Sequence, residues 1–286
     1  MTDDLRELLA RHLPGYQVRS VAKLGEGWDN VVHEVNGELL VRRSRDADPA
    51  RRDAATRREV ELLEAVVELS ALPVPEPVFA DPEAGVLAYR KLPGEPLFDH
   101  PVADPAPVAA ALGELVSGLQ RAPLGRMERL VPHDTEPMAE WLREAVDSYR
   151  QVADRIPAEA RASVEEFLGR PPPPAPGALA FCHNDLGSEH VLVKAGVVTG
   201  VIDWTDAAIT DPVADLALIY RDLGPAALDL TVAHYDGPFG PPERDRAVFY
   251  ARCALLEDLA YGFRTGQRRY ADASLAHLPW TFAPDR

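Results

Sequence analysis

Residues 181–190, Phe181-Cys182-His183-Asn184-Asp185-Leu186-Gly187-Ser188-Glu189-His190, set the Asp185 carboxylate and two imidazoles in a short polar stretch directly after an apolar run. A second carboxylate follows in Ile202-Asp203-Trp204, and further acids in Asp211-Pro212-Val213-Ala214-Asp215-Leu216. This spacing suits phosphoryl transfer, which asks little covalent chemistry of a protein: one group to orient the attacking hydroxyl and a few ligands for metal-bound phosphates. Asp185, in a loop leaving a buried strand, could accept or orient the proton of an acceptor hydroxyl during in-line attack on a γ-phosphate. Asp203 offers the oxygen donor that Mg²⁺ prefers, whereas His190 is chemically the odd member of a magnesium site. Taken alone, Asp185 reads better as a turn or cap residue. The combination favours a site, because a short hairpin between His190 and Asp203 could return both side chains to the same edge.

The elements that must position these groups follow from periodicity and turn chemistry. Asp3–Leu13 reads as a helix with Leu5, Leu8 and Leu9 on one face. Strands are predicted at 18–24, 31–35 and 39–43, the last two joined by the hairpin dipeptide Asn36-Gly37. Helical spacing covers 51–69 and ends before Pro73 and Pro75, and strands at 78–80 and 86–90 complete a small antiparallel sheet. Pro93-Gly94-Glu95-Pro96 interrupts the pattern and divides the chain into residues 1–92 and 93–286. Helices are predicted at 106–121, 138–154 and 158–169. Pro171–Pro176 is a stiff spacer delivering the chain to a strand at 179–182, followed by a β pair at 191–194 and 197–202. Asp211 reads as an N-cap with Pro212 at the first helical position, and helices are expected over most of 212–276. The turn Gly25-Glu26-Gly27-Trp28 could cover phosphates with its amides, or could be a plain β-turn.

Composition narrows the partners. The chain has 286 residues, 46% of them hydrophobic, enough for a well-buried core. A formal charge of −16 disfavours nucleic acid or an anionic membrane surface and suits a cationic substrate, although solubility alone would explain it. Cys182 and Cys253 are the two cysteines and form no CxxC pair, so neither a disulfide framework nor a zinc site is expected, and a reducing cytoplasm is the expected setting. No run approaches eighteen apolar residues, and the acidic start is unlike a signal peptide.

His183-Asn184-Asp185-Leu186 with His190, then Ile202-Asp203-Trp204-Thr205-Asp206-Ala207 and Asp211-Pro212, resembles the aminoglycoside phosphotransferase family. The match is closest to its 2''-aminoglycoside and macrolide kinase branches, which carry His at the position of His190 where most relatives carry Asn. The resemblance extends over nearly the whole chain through Leu40-Val41-Arg42, Arg58-Glu59-Val60 and Ala88-Tyr89-Arg90-Lys91-Leu92-Pro93-Gly94. It implies an α+β, protein-kinase-like fold of two lobes: an antiparallel sheet with a helix, and a mainly helical C-lobe. It implies Asp185 as catalytic base or orienter, His190 and Asp203 as Mg²⁺ ligands, and Asp215, together with His183, as support of the loop. Gly25 and Gly27 would cover the phosphates, and Arg42 would stand where such lobes place a lysine, steadied by Glu59. Tyr89 would be the gatekeeper beside hinge residues Arg90 and Leu92. Glu257 and Asp258 on a C-terminal helix would hold a cationic acceptor, with Tyr261 and Trp280 as stacking surfaces; an exposed acidic helix face explains the two acids equally well.

The expected protein is therefore a small-molecule O-phosphotransferase, using Mg²⁺ and ATP or GTP to phosphorylate an aminoglycoside, a macrolide or another cationic antibiotic as a monomer or weak dimer. A metabolic kinase of the same fold, for choline, a sugar or an amino alcohol, and a non-catalytic nucleotide-binding protein are the alternatives.

Overall fold

The structure, a computed structural model, describes residues 2–26 and 30–283. Helix α1 (Thr2–His12) presents Leu5, Leu8 and Leu9 to one side because residues three and four apart share a helical face. They bury against Val35, Leu39, Val41, Val86 and Ala88 of a five-stranded sheet. Its strands are β1 (Val21–Glu26), β2 (Asn30–Val35), β3 (Leu39–Ser44), β4 (Pro77–Asp81) and β5 (Val86–Arg90), in the antiparallel order β1-β2-β3-β5-β4. Asn36 and Gly37 turn β2 into β3 with φ of 57° and 77°, the left-handed pair such a hairpin needs. Helix α2 (Pro49–Leu69) lies between β3 and β4, and Asp48 caps it by accepting the Ala50 amide at 2.9 Å. That cap starts the helix two residues before the predicted Arg51.

The first strand also departs from expectation, beginning at Val21 instead of Val18. Arg6 donates to the Val18 carbonyl, and the amides of Arg19 and Ser20 donate to the Asn36 side chain at 2.7 and 3.0 Å. Side chains satisfy this backbone locally, which removes the demand for a strand partner.

Beyond β5 the chain turns at Gly94, whose φ of 108° excludes most side chains and where a Cβ would lie 2.8 Å from the Val193 carbonyl oxygen. There follow β6 (Glu95–Pro96), α3 (Ala106–Gln120), α4 (Leu124–Met127), α5 (Met138–Val152), α6 (Ala158–Leu168), β7 (Ala180–Cys182), β8 (Val191–Lys194), β9 (Val197–Val201) and β10 (Ala208–Thr210). Helices α7 (Ala214–Val232), α8 (Pro241–Thr265) and α9 (Arg268–Thr281) close the chain. β6, β8 and β9 form one small antiparallel sheet and β7 pairs with β10 in another. The fold is thus an N-terminal antiparallel sheet with its helix, followed by a mainly helical region. A buried core runs from Leu62 and Val66 of α2 through Leu112, Leu115 and Leu119 of α3 to Phe181, Ile209, Leu216 and Ile219. No helix among the described residues is long and apolar enough to cross a membrane.

Asp211 is not the N-cap of α7. Its carboxylate accepts the Val213 amide at 3.2 Å and pairs with the buried Arg246 guanidinium at 2.7 Å, and the helix begins only at Ala214. An Asx-type turn locked by a buried cation replaces the expected cap. α7 is also kinked at Gly224, with φ of 84°, immediately before Pro225.

Helices α8 and α9 approach closely at Gly262, where a Cβ would stand 2.5 Å from the Ala271 amide nitrogen and 2.9 Å from the Ala271 Cβ. Gly262→Ala is expected to lower stability by about 1–3 kcal/mol through overpacking. Urea denaturation of the two proteins measures it, and an unchanged midpoint would contradict the tight packing.

Candidate active site

Strand β7 ends at Cys182 and delivers residues 183–190 to the edge where β8 begins. Bonds within the loop are joined by an anchor outside it, helix α7. Asp215, fully buried in the first turn of α7, accepts the amides of His183 and Asn184 at 2.9 and 2.8 Å. Two turns further along, Asp222 accepts the Ser188 amide at 2.7 Å. Arg221 holds Asp222 in place with bonds of 2.6 and 3.2 Å and reaches Asp258 at 2.8 Å. The loop therefore hangs from two carboxylates seven residues apart, a spacing that brings side chains to one helical face.

His183 fills the space beneath the loop. Its Nδ1 accepts the Asp185 amide at 3.3 Å, so Nε2 carries the proton and donates to the Ile202 carbonyl at 3.0 Å. The ring rests on Trp204 with centroids 4.5 Å apart. Burial, helped by the neighbouring His190, pulls its pKa down to about 3, which keeps it neutral.

Asp185, His190 and Asp203 are brought together as the hairpin spacing required. His190 donates from Nδ1 to the Asp185 carbonyl at 2.7 Å, lies 3.4 Å from the Asp185 carboxylate, and points Nε2 toward Asp203 at 3.9 Å. Asn184 and Asp203 have positive φ, 65° and 61°, a conformation that costs ordinary residues energy and collects at working sites. Asp185 and Asp203 titrate in opposite directions. Burial raises Asp185 despite His190, making it the better proton acceptor; at Asp203 burial is outweighed by the Thr205 hydroxyl, His190 and Arg42, so it stays anionic. Burial would also lower His190, but the Asp185 and Asp203 carboxylates raise it.

Across the cleft, Arg42 on β3 meets Glu59 of α2 at 2.7 Å, and both are largely shielded. The same guanidinium reaches the Thr205 hydroxyl at 3.4 Å, which in turn donates to Asp203 at 2.7 Å. A cavity of about 260 Å³ opens here, lined by Asn30, Arg42, Ser44, Glu59, Leu87 and Thr205 among others. Tyr89 is half-buried at the end of β5, with its pKa raised to about 12 by burial, and is close enough to Arg42, Glu59 and Asp203 to feel their charges. Arg90 is exposed and Leu92 half-buried just beyond it. Gly25 lies in β1 with open space around its Cα, whereas Gly27 lies outside the described residues.

The two substrate candidates separate. Glu257 keeps an exposed surface, while partial desolvation by the protein around it, together with Glu144, raises its pKa, Asp185 adding to the effect. Asp258 is engaged by Arg221 instead of facing outward, with burial pushing its pKa to about 7. Trp280 donates to the Arg221 carbonyl at 3.1 Å and packs at the Gly224 kink. Four residues escaped the sequence reading: Asp134, which receives the Asn184 side chain at 3.0 Å, and Arg221, Asp222 and Thr205. The i, i+7 spacing of Asp215 and Asp222 was the available signal for one of them.

The N-terminal antiparallel sheet with its helix and the mainly helical region after it make a two-lobed, protein-kinase-like fold. Residues 20–248 match the family model of the phosphotransferase enzyme family, and the chain belongs to that family. Viomycin phosphotransferase from Streptomyces vinaceus is 29% identical over 245 residues, covering 80% of this chain and 82% of that one. Among solved structures, the GDP complex of aminoglycoside 2'-phosphotransferase-IIIa superposes with a TM-score of 0.73 at 20% identity over 98% of both chains. Macrolide 2'-phosphotransferase MphH from Brachybacterium faecium superposes with a TM-score of 0.66 at 23% identity over 99% of both.

The neutral His183 has a consequence for acid stability. Its imidazole titrates near 6.5 in the unfolded chain and near 3 in the fold, so between these values unfolding takes up a proton. Stability from this group is therefore complete above about pH 6.5 and falls by up to about 1.4 kcal/mol per unit as the pH drops. The advantage of wild type over His183→Gln should shrink from pH 7 to pH 5 in denaturant titrations; a constant gap would contradict a neutral buried ring.

Proposed function

We propose that this phosphotransferase moves the γ-phosphoryl group of ATP or GTP to a hydroxyl of a cationic antibiotic, with nucleotide between the N-terminal sheet (residues 1–92) and the helical region (93–286). The observation that carries this reading is the Asp185 carboxylate, raised in basicity and about one-third exposed, standing beside the more acidic Asp203. In that place Asp185 orients the acceptor hydroxyl and takes up its proton as the bond to phosphorus forms. Arg42, paired with Glu59, faces the phosphates with its guanidinium. Tyr89, Arg90 and Leu92 border the base, and Gly25 approaches the phosphates from β1.

The donor set fits Mg²⁺ shared with phosphates. Asp203 supplies an anionic oxygen, and because His190 Nδ1–H is committed to the Asp185 carbonyl, the Nε2 lone pair is left toward Asp203. Among the described residues no group of three or more His, Cys, Asp or Glu could hold a metal by itself, so phosphate oxygens and water must complete the shell. Bound there, the ion would neutralise charge on the β- and γ-phosphates.

The antibiotic assignment draws on the named relatives, whose acceptors are viomycin, aminoglycosides and macrolides. It draws also on the acids of α8, of α5 and of the segment just before α5: Glu257 is raised by burial and by Glu144, and Glu136 by burial and by Glu144, Asp134 and Glu140. Acids crowded enough to shift in this way gain from a cationic guest. Asp258 supports this face from behind through Arg221. The two thiols, Cys182 and Cys253, are free and buried, which suits the reducing cytoplasm.

Nucleotide turnover measured over aminoglycosides, macrolides, cyclic peptide antibiotics and choline-like alcohols, with ATP and with GTP, tests the proposal. An antibiotic should stimulate turnover, and Asp185→Ala should lower kcat by about 10²–10⁴-fold. Stimulation by choline-like alcohols alone would overturn the antibiotic reading, and acceptor-dependent turnover surviving in Asp185→Ala would overturn the mechanism. Glu257→Gln should raise KM for a cationic acceptor about tenfold or less with kcat little changed, as expected for binding shared by ground and transition states. A fall in kcat with KM unchanged would count against that role.

A further inference from the structure

We infer that Thr205 is a positioning residue that keeps Arg42 and Asp203 apart and poised, so that each remains available to the phosphates and metal of a bound nucleotide. The inference rests on the nucleotide site proposed above and adds to it a residue whose side chain transfers nothing.

Thr205 is aimed by its neighbour. Trp204 is buried, packs at a tilt against the His183 ring and donates from Nε1 to the Val201 carbonyl at 3.3 Å, and the next residue is exposed at the cleft. A hydroxyl has one proton and two lone pairs, so it can donate and accept at once. Thr205 Oγ1 does both, donating to Asp203 Oδ1 at 2.7 Å and accepting from Arg42 Nη1 at 3.4 Å. The result is a line of four groups: Glu59, Arg42, Thr205 and Asp203.

Two consequences follow for the ends of that line. Asp203 holds a left-handed backbone with φ of 61°, and the bond from Thr205, two residues on, commits Oδ1. Oδ2 is then the oxygen turned toward His190 Nε2. At the other end, Arg42 Nη1 is divided between Glu59 Oε1 and Thr205.

The need for a spacer comes from arginine. Its guanidinium makes planar two-point bonds with carboxylates and is longer than the ammonium of lysine. A direct Arg42–Asp203 pair would spend the phosphate-facing cation and the metal-facing carboxylate on each other. With Thr205 between them, Arg42 keeps its ion pair with Glu59, and on the sides that face each other Arg42 and Asp203 each have a neutral partner, held more weakly than a charged one and readily given up to phosphate or metal. The lining of the cavity places Arg42, Glu59 and Thr205 together where that exchange would occur.

The test uses Thr205→Val, which keeps the shape and removes the hydroxyl, and Thr205→Ser, which keeps the hydroxyl. A fluorescent ATP analogue is titrated into each protein across a range of Mg²⁺ concentrations. Thr205→Val should weaken Mg²⁺-dependent binding about tenfold, the loss expected for one hydrogen bond to a charged group, while Thr205→Ser stays close to wild type. Arg42→Lys should recover part of the binding in the Thr205→Val background and none in the wild type, because the shorter ammonium cannot close on Asp203 in two-point fashion. Equal binding by wild type and Thr205→Val, equal losses for Thr205→Val and Thr205→Ser, or the same effect of Arg42→Lys in both backgrounds would each overturn the role of Thr205. A wild-type protein that binds no nucleotide would instead overturn the functional reading beneath it.

Discussion

The carboxylate of Asp215 carries the site. It is wholly buried, and burial pushes its pKa to about 6, yet the amides of His183 and Asn184 give both oxygens a partner. Burying an acid this way is costly unless its hydrogen bonds are complete. Here they are made to the loop that bears Asp185, so satisfying Asp215 and placing Asp185 are one requirement. Asp222 repeats the arrangement at Ser188, with Arg221 neutralising it from behind. Helix α7 thereby determines the loop from both ends, and its packing against α3 and α8 through Leu216, Ile219 and Leu228 makes the whole helical region a mount for that loop.

On this mount the electrostatics are divided by distance from water. Of the buried arginines Arg252 bonds the Thr281 and Ala283 carbonyls, and two are dedicated to acids: Arg221 to Asp222 and Asp258, Arg246 to Asp211. Removing either cation would leave buried acids unpaired, which is far more costly than losing an exposed ion pair. Nearer the cleft, neighbouring carboxylates are driven apart in basicity, Asp185 upward and Asp203 downward. One residue becomes suited to a proton and the other to a cation, although the two are chemically identical. Further out, acids such as Glu257 and Glu136 crowd without cations enough to match them, and the overall charge of −16 follows the same trend.

The N-terminal sheet contributes its part through one side-chain pair. Val41 and its neighbours set β3 against β5, and this register aims Arg42 at Glu59 on α2. Because α2 also shares the core with α3 through Leu62, Leu63 and Val66, the arginine is tied to the helical region by packing as well as through Thr205. The substitution of arginine for the expected lysine is thus accommodated on both sides, by Glu59 and by a hydroxyl from the opposite lobe.

Much of this was legible in the chain before any coordinates. Local rules suffice for the Asn36-Gly37 hairpin, the helix through 51–69 and the break at Pro93-Gly94, since each depends on backbone preferences of neighbouring residues. The order and spacing around Asp185, His190 and Asp203 were enough for the class of chemistry, because a hairpin of that length returns its ends to one edge. What the chain could not reveal was pairing over long distances. Whether Asp211 caps a helix or locks Arg246 depends on a residue 35 positions away, and whether Asp258 faces a substrate or Arg221 depends on one 37 away. An acid looks alike in every such role until its partner is placed. Asp222 and Thr205 were unremarkable letters for the same reason: their function lies in which amide, guanidinium or carboxylate the tertiary fold sets within hydrogen-bonding distance.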